Sequence, residues 1–205
     1  MLIQILFNDP ILFLIIAVAI IFALSIHEFF HAWMAYYLGD NTAKDQGRLT
    51  VNPLAHLDPF GTILIFIAGI GWGKPVPFNP YNLKNQKWGP ALVSAAGPCS
   101  NFLIVLLVGS FLYFFELNNL YLIYFLSFSV WINLILGVLN LMPVPPLDGS
   151  HIFFALFPSL ENVKNSFIQG GILPLIGVIF FMIYVVIPFI VEPLYVLIVG
   201  NYALF

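Results

Sequence analysis

Charge is what this sequence has least of. Only 7% of its 205 residues are Asp, Glu, Lys or Arg, against 61% that are hydrophobic. A soluble domain carries about 25% charged residues to cover its surface, so that class is excluded. Lys and Arg number 6 against 9 Asp and Glu, a formal net charge of -3. No basic face for a nucleic acid can be assembled from so few cations. The single cysteine, Cys99, rules out an internal disulfide and a Cys-x-x-Cys metal site. Its plainer reading is a small buried apolar residue. Residues 1–10 hold no Lys or Arg and include Asp9. A secretory signal starts basic and has a short apolar core, so the longer run that follows reads instead as a first spanning helix. Repeats and low-complexity tracts are missing as well.

What is present is long apolar runs, with a mean hydropathy of +1.03. Runs at about 11–38, 90–115, 121–141 and 172–199 reach the roughly 20 residues that cross a hydrocarbon core. The expectation is an all-α polytopic membrane protein of about four transmembrane helices. Residues 1–205 form one membrane-embedded domain, with a core at about 11–155 and a C-terminal helical region at about 172–199. Pro188 is expected to kink or break the last span. Gly61–Gly73 is too short to cross and reads as a re-entrant or β-hairpin segment. Arg48–Val51 and Ile63–Ile67 are its candidate strands. Residues 151–160 read as a short helix and 161–170 as a polar loop.

The first run contains His27-Glu28-Phe29-Phe30-His31. Residues four apart share a helix face, so the two imidazoles can converge on one metal ion. Glu28 beside them can reach a metal-bound water as general base. The bland alternative is a pair of core histidines and a stray Glu. With 4 His in 205 residues, such a pattern arises by chance about once in several hundred chains of this composition. Ionisable groups inside a bilayer are costly and usually functional, which favours a metal site. His31 stands seven residues before Leu38, placing the site roughly 10 Å inside that helix end.

Catalytic zinc takes three protein ligands and a water, so a third ligand is needed. Asp148, His56, His151, Asp58 and Glu192 are the candidates. Asp148 follows a helix broken by Pro143, Pro145 and Pro146, and Gly149 beside it permits close approach. Asp-Gly is equally a common turn pair, and spacing alone leaves the two readings balanced. Gly97 and Asn101 share a face of the second span. The simpler reading is a small-residue packing notch, with Asn101 toward the site as the alternative.

Charge orients the chain. If 61–73 does not cross, Lys44, Arg48, Lys74, Lys84, Lys87 and Lys164 all lie on one side. The positive-inside rule makes that side cytoplasmic, with the His27–His31 end and Asp148 both facing it. The expected location is the cell membrane, multi-pass, with the site near the cytoplasmic face.

These residues resemble the site-2 protease family, the zinc intramembrane metalloproteases. Alongside the first motif, Asn140-Leu-Met-Pro143-Val-Pro145-Pro-Leu147-Asp148-Gly149 matches the family's N-x-x-P-x-P-x-L-D-G. Gly97-Pro-Cys-Ser-Asn101 is similar to its G-x-x-x-N. Asn52-Pro53, His56, Asp58-Pro59 and Gly73-Lys74-Pro75-Val76-Pro77 are similar to its inter-helix segment. The resemblance covers roughly residues 15–155 and implies Zn2+ held by His27, His31 and Asp148, with Glu28 as base. It further implies that Asn140 helps to orient or stabilise the reacting carbonyl. The implied substrate is a single-span membrane protein or peptide within the lipid bilayer, cut inside or beside its transmembrane segment. No loop is long enough for an inserted PDZ domain and no additional span precedes the first motif, a minimal form. A non-proteolytic metal-binding or transport protein is the alternative function.

Overall fold

The computed structural model describes residues 2–68, 71–171 and 173–204. A short helix α1 (Leu2–Asn8) leads into α2 (Pro10–Tyr37). Asp9 starts α2 by accepting the Leu12 amide, and Pro10 occupies the first turn, where its missing N–H costs nothing. The helix closes at Leu38, after which Gly39 takes φ +105° and turns the chain away. α3 (Thr42–Asp45) and α4 (Pro59–Ala68) lie in the connection to the second span, α5 (Gly89–Phe114). α6 (Leu120–Asn140) follows, then α7 (Asp148–Leu156) and α8 (Glu161–Gln169). The last span runs as α9 (Leu173–Phe181), a π-helical stretch at Met182–Val191 containing Pro188, and α10 (Glu192–Val199).

Among the described residues, four helical segments are long and apolar enough to cross a membrane: Pro10–Tyr37, Gly89–Phe114, Leu120–Asn140 and Leu173–Tyr202. The protein is thus all-α and polytopic. Its centre is the trio α2, α5 and α6, with α7 seated on α5. Lipid tails are as apolar as Leu, so helices in a bilayer associate by close packing rather than by exclusion of water. Ala19, Ala23, Ala32 and Ala35 are small buried residues of α2 where its neighbours pack. The terminal span packs through Val178, Met182, Val186 and Tyr195 against Val105, Leu112, Val130 and Leu134 of α5 and α6.

Three expectations are corrected. The described residues of the 61–73 stretch form no β-hairpin. Residues 59–68 are helical, residues 69–70 lie outside the described set, and the pairing is a single antiparallel bridge between Leu57 and Gly73. Asp58 caps this helix by accepting the Gly61 amide at 2.7 Å, so the Asp58-Pro59 pair starts a helix where β-branched content had suggested a strand. Arg48–Val51 has no strand partner among the described residues either. The 161–170 segment is helix α8 rather than loop. Pro188 does not break the last span: the chain stays helical through it by widening its turns, with residue 172, the expected start, outside the described set. From Lys74 to Asn79 the chain has no regular structure and runs as a strap past the C-terminal part of α2, from Glu28 to Asp40.

Candidate metal centre

On α2, His27 and His31 project one turn apart, as four-residue spacing requires. Their Nε2 atoms stand 2.9 Å apart. Asp148, the first residue of α7, places Oδ2 3.2 Å from each of them. The Pro-rich turn after α6 delivers it there, and Gly149 makes the approach possible, since a Cβ would overlap the Leu141 carbonyl. Both imidazoles are buried. Of the five third-ligand candidates, Asp148 alone joins the pair among the described residues.

The hydrogen-bond polarity of the cluster is set from outside. The Ser129 carbonyl can only accept, so Asn133 Nδ2 donates to it at 2.8 Å. Asn133 Oδ1 then accepts from Asn101 Nδ2 at 2.7 Å. Asn101 Oδ1, 2.6 Å from His27 Nδ1, must therefore receive that ring's proton. His31 Nδ1 donates likewise to the Val93 carbonyl at 2.7 Å. In the neutral form that metal ligation requires, each imidazole then carries a bare lone pair on Nε2. These two lone pairs meet Asp148 Oδ2, a buried oxygen with no hydrogen-bond donor. Three acceptors this close repel unless positive charge lies among them. Their separations approach the roughly 3.3 Å edge of a tetrahedron with zinc–ligand bonds of about 2.0–2.1 Å. The donor set therefore fits a zinc-type cation.

Asn101 faces the site, and this corrects the packing-notch preference. Gly97 serves both purposes, for a Cβ there would strike His31 Nε2 and lie 2.7 Å from His27 Cε1. Interhelical hydrogen bonds in membranes average only about 0.6 kcal/mol, whereas removing a ligand's outer partner typically costs 10- to 100-fold in metal affinity. The Asn101–Asn133 relay thus matters more for ring orientation than for stability. Asn133 and the Val93 carbonyl went unassigned in the sequence. A buried amide in a spanning helix was a usable signal for the first; a backbone carbonyl leaves none.

Glu28 lies beside the cluster and its Oε2 accepts the Val76 amide of the strap at 3.0 Å. Asn140 is not bonded to the cluster; its Nδ2 donates to the Leu136 carbonyl one turn back at 3.1 Å. His56 is no ligand. Its Nε2 donates to the Thr50 carbonyl at 2.7 Å. Burial pushes its pKa below the ordinary range although that bond works the other way, so the ring is neutral. His151 packs on the Phe78 ring. Glu192 begins α10.

Fold and cluster together define a helical membrane protein organised around a buried His–His–carboxylate site of metal-ligand type. A family model described as peptidase family M50 matches residues 115–184. The provisionally designated zinc metalloprotease YwhC of Bacillus subtilis (strain 168) is 44% identical over 162 residues, 74% of this chain and 73% of that one. The provisionally designated zinc metalloprotease Rip2 of Mycolicibacterium smegmatis is 31% identical over 156 residues, 73% of this chain but 58% of its own length. The regulator of sigma E protease of Haemophilus influenzae is 46% identical over 48 residues, 23% of this chain and 10% of that one. No solved structure matches. The chain belongs to peptidase family M50, the site-2 protease family that its paired motifs resemble.

Proposed function

We propose that this chain is an intramembrane zinc metalloprotease, with residues 11–155 as its catalytic core, hydrolysing peptide bonds within or beside a transmembrane segment of a single-span substrate. The observation that carries the reading is the meeting of three buried acceptors, His27 Nε2, His31 Nε2 and Asp148 Oδ2, with Glu28 alongside. His27, His31 and Asp148 would hold the zinc. When bound, zinc lowers the pKa of a coordinated water to about 7 and polarises a carbonyl.

The rest belongs to the chain's own groups. Glu28 takes the proton from the attacking water and passes it to the leaving amine nitrogen. Val76 holds Oε2 of that carboxylate in place through its amide. Asn101 and the Val93 carbonyl keep both rings in one tautomer. Asn140 is assigned to the reacting carbonyl, its amide exchanging the Leu136 oxygen for that of the substrate. All six Lys and Arg fall in the two connections at the site's end of the bundle, supporting a cell-membrane protein with its site near the cytoplasm.

The test is cleavage of candidate single-span proteins by purified wild type beside Glu28→Gln, with metal content measured on both. A base that is not a ligand predicts full metal content and loss of cleavage in the variant. Loss of metal from Glu28→Gln would make Glu28 a ligand and return the metal-transport reading to the front.

A further inference from the structure

The strap that touches Glu28 is itself held from beneath by a residue with no role so far. Arg48 is 4% exposed. Its Nη1 donates to the Pro75 carbonyl at 3.1 Å and its Nη2 to the Lys74 carbonyl at 2.6 Å. Nη2 also lies 3.5 Å from His56 Nδ1, the bare nitrogen of the neutral ring. The strap is tied at both ends too. The Lys74 amide donates to the His56 carbonyl at 2.8 Å, and the Asn79 amide to Asp40 Oδ2 at 2.7 Å. Between those ties comes Val76, whose N–H meets the Glu28 carboxylate. Its neighbours Pro75 and Pro77 have no N–H, so only residue 76 within that triplet can make such a bond.

A structural clamp alone explains this arrangement poorly. Among the described residues no carboxylate pairs with the Arg48 guanidinium, and its Nε is buried without a partner. A buried, unpaired cation is costly, and a neutral side chain could hold two carbonyls at less expense in desolvation. Burial pulls the Arg48 pKa down, and the charge of Glu28 acts in the opposite direction.

The geometry points to Arg48 as a positioning residue of the catalytic apparatus: by gripping the Lys74 and Pro75 carbonyls it presents the Val76 amide that aims the Glu28 carboxylate at the metal-ligand cluster. This rests on the protease reading for its catalytic half only; the grip on the strap stands or falls separately.

The experiment combines two readouts on the full-length protein in detergent or lipid. Hydrogen exchange of the peptide covering residues 73–79 is compared in wild type, Arg48→Ala and Arg48→Lys. In parallel, kcat and KM are measured for those proteins, Val76→Pro and the Arg48→Ala/Val76→Pro double variant, with metal content throughout. Arg48→Ala should raise strap exchange about tenfold or more while the spans stay protected. It should lower kcat about 10- to 100-fold with KM and metal content held. Arg48→Lys, reaching one carbonyl, should recover part of the loss. The double variant should be no worse than the poorer single one, because both remove the same contact.

Unchanged strap exchange overturns the inference, as does a fall in kcat that comes with metal loss or with loosening everywhere. Multiplicative losses in the double variant overturn it as well. If Arg48→Ala does not fold, Arg48→Lys and Val76→Pro decide by the same criteria. If wild type cleaves nothing while strap exchange still rises, the grip stands and the protease reading is what fails.

Discussion

Gly97→Ala tests how little room the metal centre leaves. The added methyl would overlap His31 Nε2 and sit 2.7 Å from His27 Cε1, where ordinary contacts begin near 3.4 Å. Relief needs a shift of about 1 Å between α5 and the nearer imidazole, His31, whereas metal–ligand distances tolerate only about 0.2 Å. Neither ring can turn aside freely, because Asn101 and the Val93 carbonyl hold their Nδ1 atoms. Two responses remain: the helices part, or the rings leave the cluster. Overpacking of this kind costs about 1–3 kcal/mol, and displaced ligands lower metal affinity by at least the 10- to 100-fold typical of a lost outer partner. The assay is metal affinity by competition with a chelator, read beside thermal unfolding in the same detergent. Gly97→Ala is expected to bind metal at least tenfold more weakly and to unfold earlier. A variant that matched wild type in both would refute the account, since it would mean α5 does not press on the two rings.

Asn133→Ala should weaken metal binding about tenfold, because Asn101 Nδ2 loses its acceptor and the amide is free to flip against His27. Chelator competition measures this, and unaltered affinity would remove the relay from the account. Asp40 is fully buried and accepts from the Thr42 amide and hydroxyl, the Asn79 amide and Asn82 Nδ2. Burial alone would push its carboxyl up, but those donors outweigh it and hold it below the ordinary 3.8. A depressed acid stabilises the fold above its unfolded value and loses that contribution as pH falls through the folded one. Wild type should therefore lose unfolding temperature below about pH 4 more steeply than Asp40→Asn; parallel curves would show that Asp40 carries no such linkage.

The sequence by itself determined the parts of this protein that depend on local pattern. Apolar length set the four spans, since a bilayer demands about 20 residues whatever the neighbours. The four-residue interval put His27 and His31 on one face because helical geometry allows nothing else. Tertiary structure decided what pattern leaves degenerate. Asp148 as turn residue or cluster member was balanced until α7 packed on α5 and brought Oδ2 to 3.2 Å from both rings. Asn101 read more simply as part of a packing notch than as facing His27, for helix rotation is fixed only by the neighbour it meets. The 61–73 stretch misled because β-branched content describes a surface to be packed, not a backbone preference, and the Asp58 cap prevailed. Arg48 and Val76 lie 28 residues apart in an irregular connection, and no periodicity relates them. Only the folded strap, pinned at His56, Arg48 and Asp40, brings that amide to Glu28.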